Sequence, residues 1–145
     1  MKNALRALVL LAVFLGGAAF GRRMVTPGAA HAEDGGRVFE LRTYTAPDGK
    51  LDELHARFRD HTMRIFEKHG MTSVGYWVPQ DSVLSKNTIV YILAHDSREA
   101  ARRSWAAFGQ DPEWRKVARE SEANGRIVER VESRFLEPTD YSPLK

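Results

Sequence analysis

The chain has 145 residues, enough for one domain with a modest core, and carries 22 Lys and Arg against 19 Asp and Glu with no cysteine. That absence excludes a disulfide framework, a thiolate metal site, a cysteine nucleophile and a lipid-modified cysteine. The basic excess lies in the first 32 residues, which hold Lys2, Arg6, Arg22 and Arg23 and no acid. This leaves 18 basic side chains against 19 acidic, so composition gives no ground for nucleic-acid binding.

Residues 1–32 read as a secretory signal peptide. Lys2 and Arg6 form a positive n-region, Ala7 to Phe20 is an uncharged apolar run, and Ala30-His31-Ala32 is a small-x-small cleavage signal. A membrane-spanning helix needs about 20 apolar residues, more than this run supplies. The long stretch from Gly21 to His31 leaves the alternative of an uncleaved anchor built on residues 7–20, the one route by which the chain would meet a membrane. Arg22-Arg23 follows the apolar run, so it is not a twin-arginine signal. The expectation is export, periplasmic or secreted.

A connector over residues 33–37, beginning EDGG, leads into a domain over 38–143. Arg37 to Ala46 alternates as a strand, with Phe39 and Leu41 on one side and Glu40, Arg42 and Tyr44 on the other. Pro47-Asp48-Gly49 ends it. From Lys50 to His69 the period is helical, with Leu51, Leu54, Phe58, Thr62, Ile65 and Phe66 on one face. Gly70 sits where a helix C′ residue needs a positive φ. Met71 to Val78 predicts a second strand and Asn87 to His95 a third, apolar on both faces from Ile89 to Ala94.

Asp96 and Glu99 suggest a capping-box start to a second helix. Gly109 is expected to interrupt that helix, and Asp111-Pro112 to restart it with an N-cap and a proline at N1. Gly125 closes it, and Arg126 to Leu136 predicts the last strand. The order β-α-β-β-α-β is the ferredoxin-like α+β pattern, in which both helices cover one sheet face. The bare face calls for a second copy of the chain, which predicts a homodimer closing a dimeric α+β barrel.

Three sets of residues are candidates for chemistry. His55, His61 and His69 lie near the apolar face of the first helix, but eight residues separate His61 from His69, roughly 12 Å of helix. No HExxH or HxxxH motif is present, and the reading is of no metal site. His69 is better explained as a helix C-terminal donor to the last carbonyls, and His61 as a boundary residue. The second set is Trp105, Phe108 and Trp114, either anchors of a broken helix or an aromatic wall for a flat ligand.

The third set is Glu40, Arg42 and Tyr44, expected on the face away from the helices and pointing into the dimer interior. Tyr91 joins them from the third strand, and Tyr76 or Trp77 from the second. The candidate pocket is therefore Glu40, Arg42, Tyr44, His61, Tyr76, Trp77, Tyr91 and Trp105. Neither a G-x-S-x-G elbow, a Walker loop nor a paired-carboxylate motif occurs, and no cofactor is implied by motif. Arg98, Arg102 and Arg103 read as a solvated helix face.

The stretches FELRTYT (39–45), HTMRIFEKHGM (61–71), VGYW (74–77), AHDSREAA (94–101), SWAAFGQDPEW (104–114) and FLEPTDYSP (135–143) closely resemble the NIPSNAP family. The resemblance implies a dimeric α+β barrel of ferredoxin-like halves. Relatives in the wider superfamily include cofactor-free monooxygenases and haem-degrading or chlorite-converting enzymes, while the NIPSNAP branch offers no chemistry to transfer. Its eukaryotic members are associated with mitochondria, vesicle-related roles and autophagy adaptors, whereas this chain has a secretory-type leader.

The expectation is an exported homodimer that binds a small molecule or a protein partner. The alternatives are a cofactor-independent monooxygenase-like enzyme using His61, Arg42 or Tyr44 on a flat substrate, and haem binding through His61, His69 or His95.

Overall fold

The computed structural model describes residues 37–145, which lie in one compact unit. The signal-peptide or anchor reading of residues 1–32, and the EDGG connector, fall outside the described residues. Four strands, β1 (Val38–Thr45), β2 (Thr72–Trp77), β3 (Thr88–His95) and β4 (Arg130–Leu136), form one antiparallel sheet in the order β2-β3-β1-β4. The helices are α1 (Leu51–Arg57), α2 (Met63–Lys68), α3 (Arg98–Gln110) and α4 (Pro112–Ser121). This is the ferredoxin-like α+β unit from which dimeric α+β barrels are built. No described helix is long and apolar enough to cross a membrane.

Local chemistry places most boundaries. Gly70 ends α2 with φ +73°, as a C′ glycine should. Asp111 caps α4 through its side chain, accepting from the backbone N–H groups of Glu113 and Trp114, with Pro112 next in line. Three details differ from the sequence reading. Ser97 rather than Asp96 is the N-cap of α3, accepting from the Ala100 N–H at 3.0 Å. The helix runs through Gly109 and stops only at Asp111, since one glycine costs a helix only about 1 kcal/mol. The last strand begins at Arg130 rather than Arg126.

The first helical stretch is not uniform. Phe58–Thr62 is a π-helical turn between α1 and α2, in which the Met63 N–H reaches back to the Phe58 carbonyl. The Thr62 hydroxyl donates to the Arg57 carbonyl at 3.1 Å, satisfying an acceptor that the wide turn displaces. The turn lets Leu54 before it, Phe58 at its start, and Ile65 and Phe66 after it all remain buried.

Register decides which residues share a face. Arg42 pairs with Tyr91 and Ser133, Tyr44 with Ile89 and Val131, and Glu40 with Leu93 and Phe135. The helices lie on this face, where Tyr91, Leu93, Ile89, Phe66, Leu54 and Ile65 form the core. The alternation expected for β1 is therefore present but its polarity is inverted. Glu40, Arg42 and Tyr44 face the helices, while Phe39 and Leu41 lie on the opposite side.

The face away from the helices carries Phe39 and Leu41 of β1, Val90 and Ile92 of β3, and Val74 and Trp77 beside a bulge at Ser73–Gly75. Trp77 lies across Gly75, where a Cβ would come within 2.6 Å of the indole. Half of the Trp77 side chain remains open to solvent. The C-terminal tail reaches this face at one end, where Leu144 and Pro138 help line a hollow over Phe39 and Ile92.

Candidate functional site

A carboxylate buried in an apolar core survives only where donors replace the water it loses. Glu40 is 1% exposed and has four of them. Arg42 Nη1, Ser133 Oγ and Trp105 Nε1 each donate at 2.6 Å, and His95 Nε2 donates at 3.1 Å. Burial by itself would raise the Glu40 pKa; the hydrogen bonds from His95, Ser133, Trp105 and Arg42 outweigh it and hold the group down at about 2. At neutral pH Glu40 is thus an anion with its acceptor positions filled. It is a holder of other side chains rather than a general base.

Arg42 is what it holds most directly. The guanidinium binds Glu40 through Nη1 and donates to the Tyr44 hydroxyl through Nη2 at 3.3 Å. One face lies over the Trp105 ring, 4.1 Å from the centroid. Burial opposes its charge, and the oxygens of Tyr91, Tyr44 and Glu40 more than offset this, so its pKa moves further above the usual arginine range. Arg42 Nε and the Tyr91 hydroxyl are buried without a hydrogen-bond partner in the protein. Their residues are direct partners in the β1–β3 register. Burial also pushes the Tyr91 phenol well above its ordinary pKa, so it stays a neutral donor.

Behind Arg42 the space is filled with rings. Tyr91 packs against Phe58, Tyr44, Tyr76 and Phe66 at centroid separations of 5.2, 5.4, 5.4 and 6.0 Å. In front, the cluster opens toward β4, where Val131 and Ser133 are exposed on the helix-side face. The groups left partly or wholly exposed on this side of β1 and β4 are the Arg42 guanidinium, the Tyr44 phenol, the Ser133 hydroxyl and, from α3, the Trp105 indole. Such a surface can hold a flat molecule bearing an acceptor oxygen or a negative charge.

Of the eight candidate pocket residues, the fold brings six to this side of the sheet: Glu40, Arg42, Tyr44, Tyr76, Tyr91 and Trp105. They meet between sheet and helices, not in a dimer interior. Two lie elsewhere. Trp77 is on the opposite face, because it follows Tyr76 in a strand and alternation separates neighbours. His61 is exposed on the π-helical turn and lines a groove against α4.

Two members were missed. His95 could have been found, since it continues the alternation of Tyr91 and Leu93 toward Glu40. Ser133 lies 93 residues from Glu40 and carries no local signal.

His69 does donate at the end of its helix, but to a side chain rather than to carbonyls. Its Nε2 meets Asp111 Oδ2 at 2.6 Å, and Lys68 Nζ reaches the same oxygen at 2.7 Å. Lys68 and then His69 hold Asp111 well below the usual carboxylate range, which ties the end of α2 to the cap of α4. Trp105, Phe108 and Trp114 act together as an anchor, with Phe108 4.4 Å from Trp114 and 5.6 Å from Trp105. Among the described residues, no three His, Asp or Glu side chains gather as a metal site.

Residues 39–143 match the family model for NIPSNAP. Two solved NIPSNAP family proteins from Agrobacterium tumefaciens superpose with a TM-score of 0.66 and 24% identity each, one covering 75% of this chain and 99% of its own, the other 77% and 96%. An uncharacterised NIPSNAP-like domain protein from Burkholderia xenovorans gives 0.64 at 21% identity, covering 74% of this chain and 89% of its own. No curated protein matches the chain.

Proposed function

The chain belongs to the NIPSNAP family, and from that premise we propose that it is an exported homodimer that binds a small, flat, anionic molecule in a trough along β1 and β4 beside Trp105. One observation carries the reading. The Arg42 guanidinium is fixed by Glu40 and stacked on Trp105, yet its Nε and the adjacent Tyr91 hydroxyl have no partner in the protein. A pre-positioned cation on an aromatic wall favours a planar carboxylate over an aliphatic one. Deprotonation of the ligand by Glu40 is not part of the proposal, because a group at about 2 that already accepts four hydrogen bonds has little basicity to offer.

The homodimer is supported by the apolar sheet face of Leu41, Val74, Trp77, Val90 and Ile92, which no described helix covers. Export is supported by the leader, with its basic start, apolar run and Ala30-His31-Ala32. Native mass spectrometry of protein from a secreting host, beside an Arg42→Met variant, tests the binding. The expected result is two chains plus a retained mass that the variant lacks. Bare wild-type protein that also ignores benzoate and larger aromatic carboxylates at millimolar concentration would overturn it. A start at Glu33 in the secreted product is the expected N-terminus.

A further inference from the structure

A second hollow, on the other side of the helix layer, has its own unsatisfied cation. Arg57 is the last residue of α1 and is 6% exposed. It lies at the floor of a groove of about 270 Å³ between α1 and α4. Its Nη1 reaches only Ser121 Oγ and Glu122 Oε1, each at 3.4 Å, well beyond the roughly 2.7–2.9 Å of a charge-assisted hydrogen bond. Its Nε is buried with no partner at all. The Trp114 ring lies against the guanidinium, 5.3 Å from its carbon. Burial pulls the Arg57 pKa down, and the partly exposed Glu122, with the Tyr44 and Tyr91 phenols, does not restore it. With Nε sealed from solvent and Nη1 so poorly matched, it is the Nη groups that are left to meet an incoming anion.

The rim narrows the choice of anion. Asp60 stands three residues on from Arg57, on the π-helical turn, and has no ion-pair partner among the described residues. Glu53 and Glu120 also line the groove, partly neutralised by Lys50 at 2.7 Å and Lys116 at 3.9 Å. A phosphate or dicarboxylate entering past these groups meets repulsion, and a simple cation is repelled by the floor. The complementary ligand carries both charges a few ångströms apart. Ala56 and Val117 supply apolar wall between them. π-Helical turns of this kind recur at functional sites, and here the turn begins immediately after Arg57 and carries Asp60.

We propose that the α1–α4 groove binds a free amino acid, its carboxylate on Arg57 and Ser121 and its ammonium against Asp60. The groove shares no lining residue with the Arg42 cluster, although Tyr44 and Tyr91 act on both guanidiniums, and binding there involves no covalent step.

Ligand-observed NMR on the full-length chain, with each of the common amino acids in turn, tests this. At least one is expected to bind, and its N-acetyl and amide derivatives, which each lack one charge, are expected to bind at least tenfold more weakly. Arg57→Gln should abolish binding. Because Arg57 is buried and its replacement can unfold the domain, Asp60→Asn on the helix surface supplies the second variant, with an expected loss of at least tenfold. No binding by any amino acid overturns the proposal, as does binding indifferent to Asp60→Asn. Arg42→Met separates the two sites: amino-acid binding that survives it belongs to the groove, and binding that disappears with it belongs to the trough and overturns the assignment.

Discussion

Replacing Glu40 by glutamine keeps the size of the side chain and removes its charge. Arg42, Ser133, Trp105 and His95 then donate to a group that has one acceptor oxygen instead of two and brings an NH2 among them. The magnitude follows from linkage. Glu40 is held at about 2 against an ordinary 4.5. At about 1.4 kcal/mol per pKa unit, the ionised carboxylate contributes on the order of 3 kcal/mol to stability at neutral pH.

The sign is that of a depressed carboxylate. The contribution is complete above the unfolded value and is lost as pH falls through the folded one, so the window runs from 4.5 down to about 2. By pH 3 roughly half or less remains. For a domain of about 100 residues, E40Q should lower the Tm by roughly 12–20 °C at pH 7.

Thermal unfolding of wild type and E40Q, followed by circular dichroism from pH 7 to pH 2.5, measures both quantities. The gap between the two proteins should be widest near neutrality and narrow across the acid window. An E40Q protein as stable as wild type at pH 7 would refute the reasoning. So would a gap that stays constant down to pH 2.5, since the loss would then come from shape rather than charge.

Two further outcomes are expected. Ile92→Asp, on the apolar sheet face, should convert dimer to monomer in sedimentation velocity while leaving the far-UV spectrum unchanged; a dimer that persists would locate self-association elsewhere. Gly75→Ala forces the Trp77 indole off the strand, because the new Cβ meets it at 2.6 Å. A cost of about 1–3 kcal/mol in chemical denaturation and a shifted tryptophan emission should follow; an unchanged emission maximum would mean the ring was never seated there.

The sequence by itself determined the elements and their order. Alternation in FELRTYT, the helical stripe of Leu51, Leu54, Phe58 and Ile65, the glycine stop at Gly70 and the Asp111-Pro112 cap all act within a few residues, and each appears at its expected place. The same alternation showed which residues share a face, which is why Glu40, Arg42, Tyr44 and Tyr91 were grouped correctly. It could not say which face the helices would cover. Hydrophobicity favoured Phe39 and Leu41 as the inner pair.

Tertiary structure decided otherwise, because the cost of burying Glu40 is met by groups distant in sequence: His95 at 55 residues, Trp105 at 65 and Ser133 at 93. No local pattern encodes that sum. The π-helical turn at Phe58–Thr62 is of the same kind, since a single period through Lys50–His69 reads as one helix, and only the folded chain shows the wider turn that follows Arg57 and carries Asp60 and His61 to the groove.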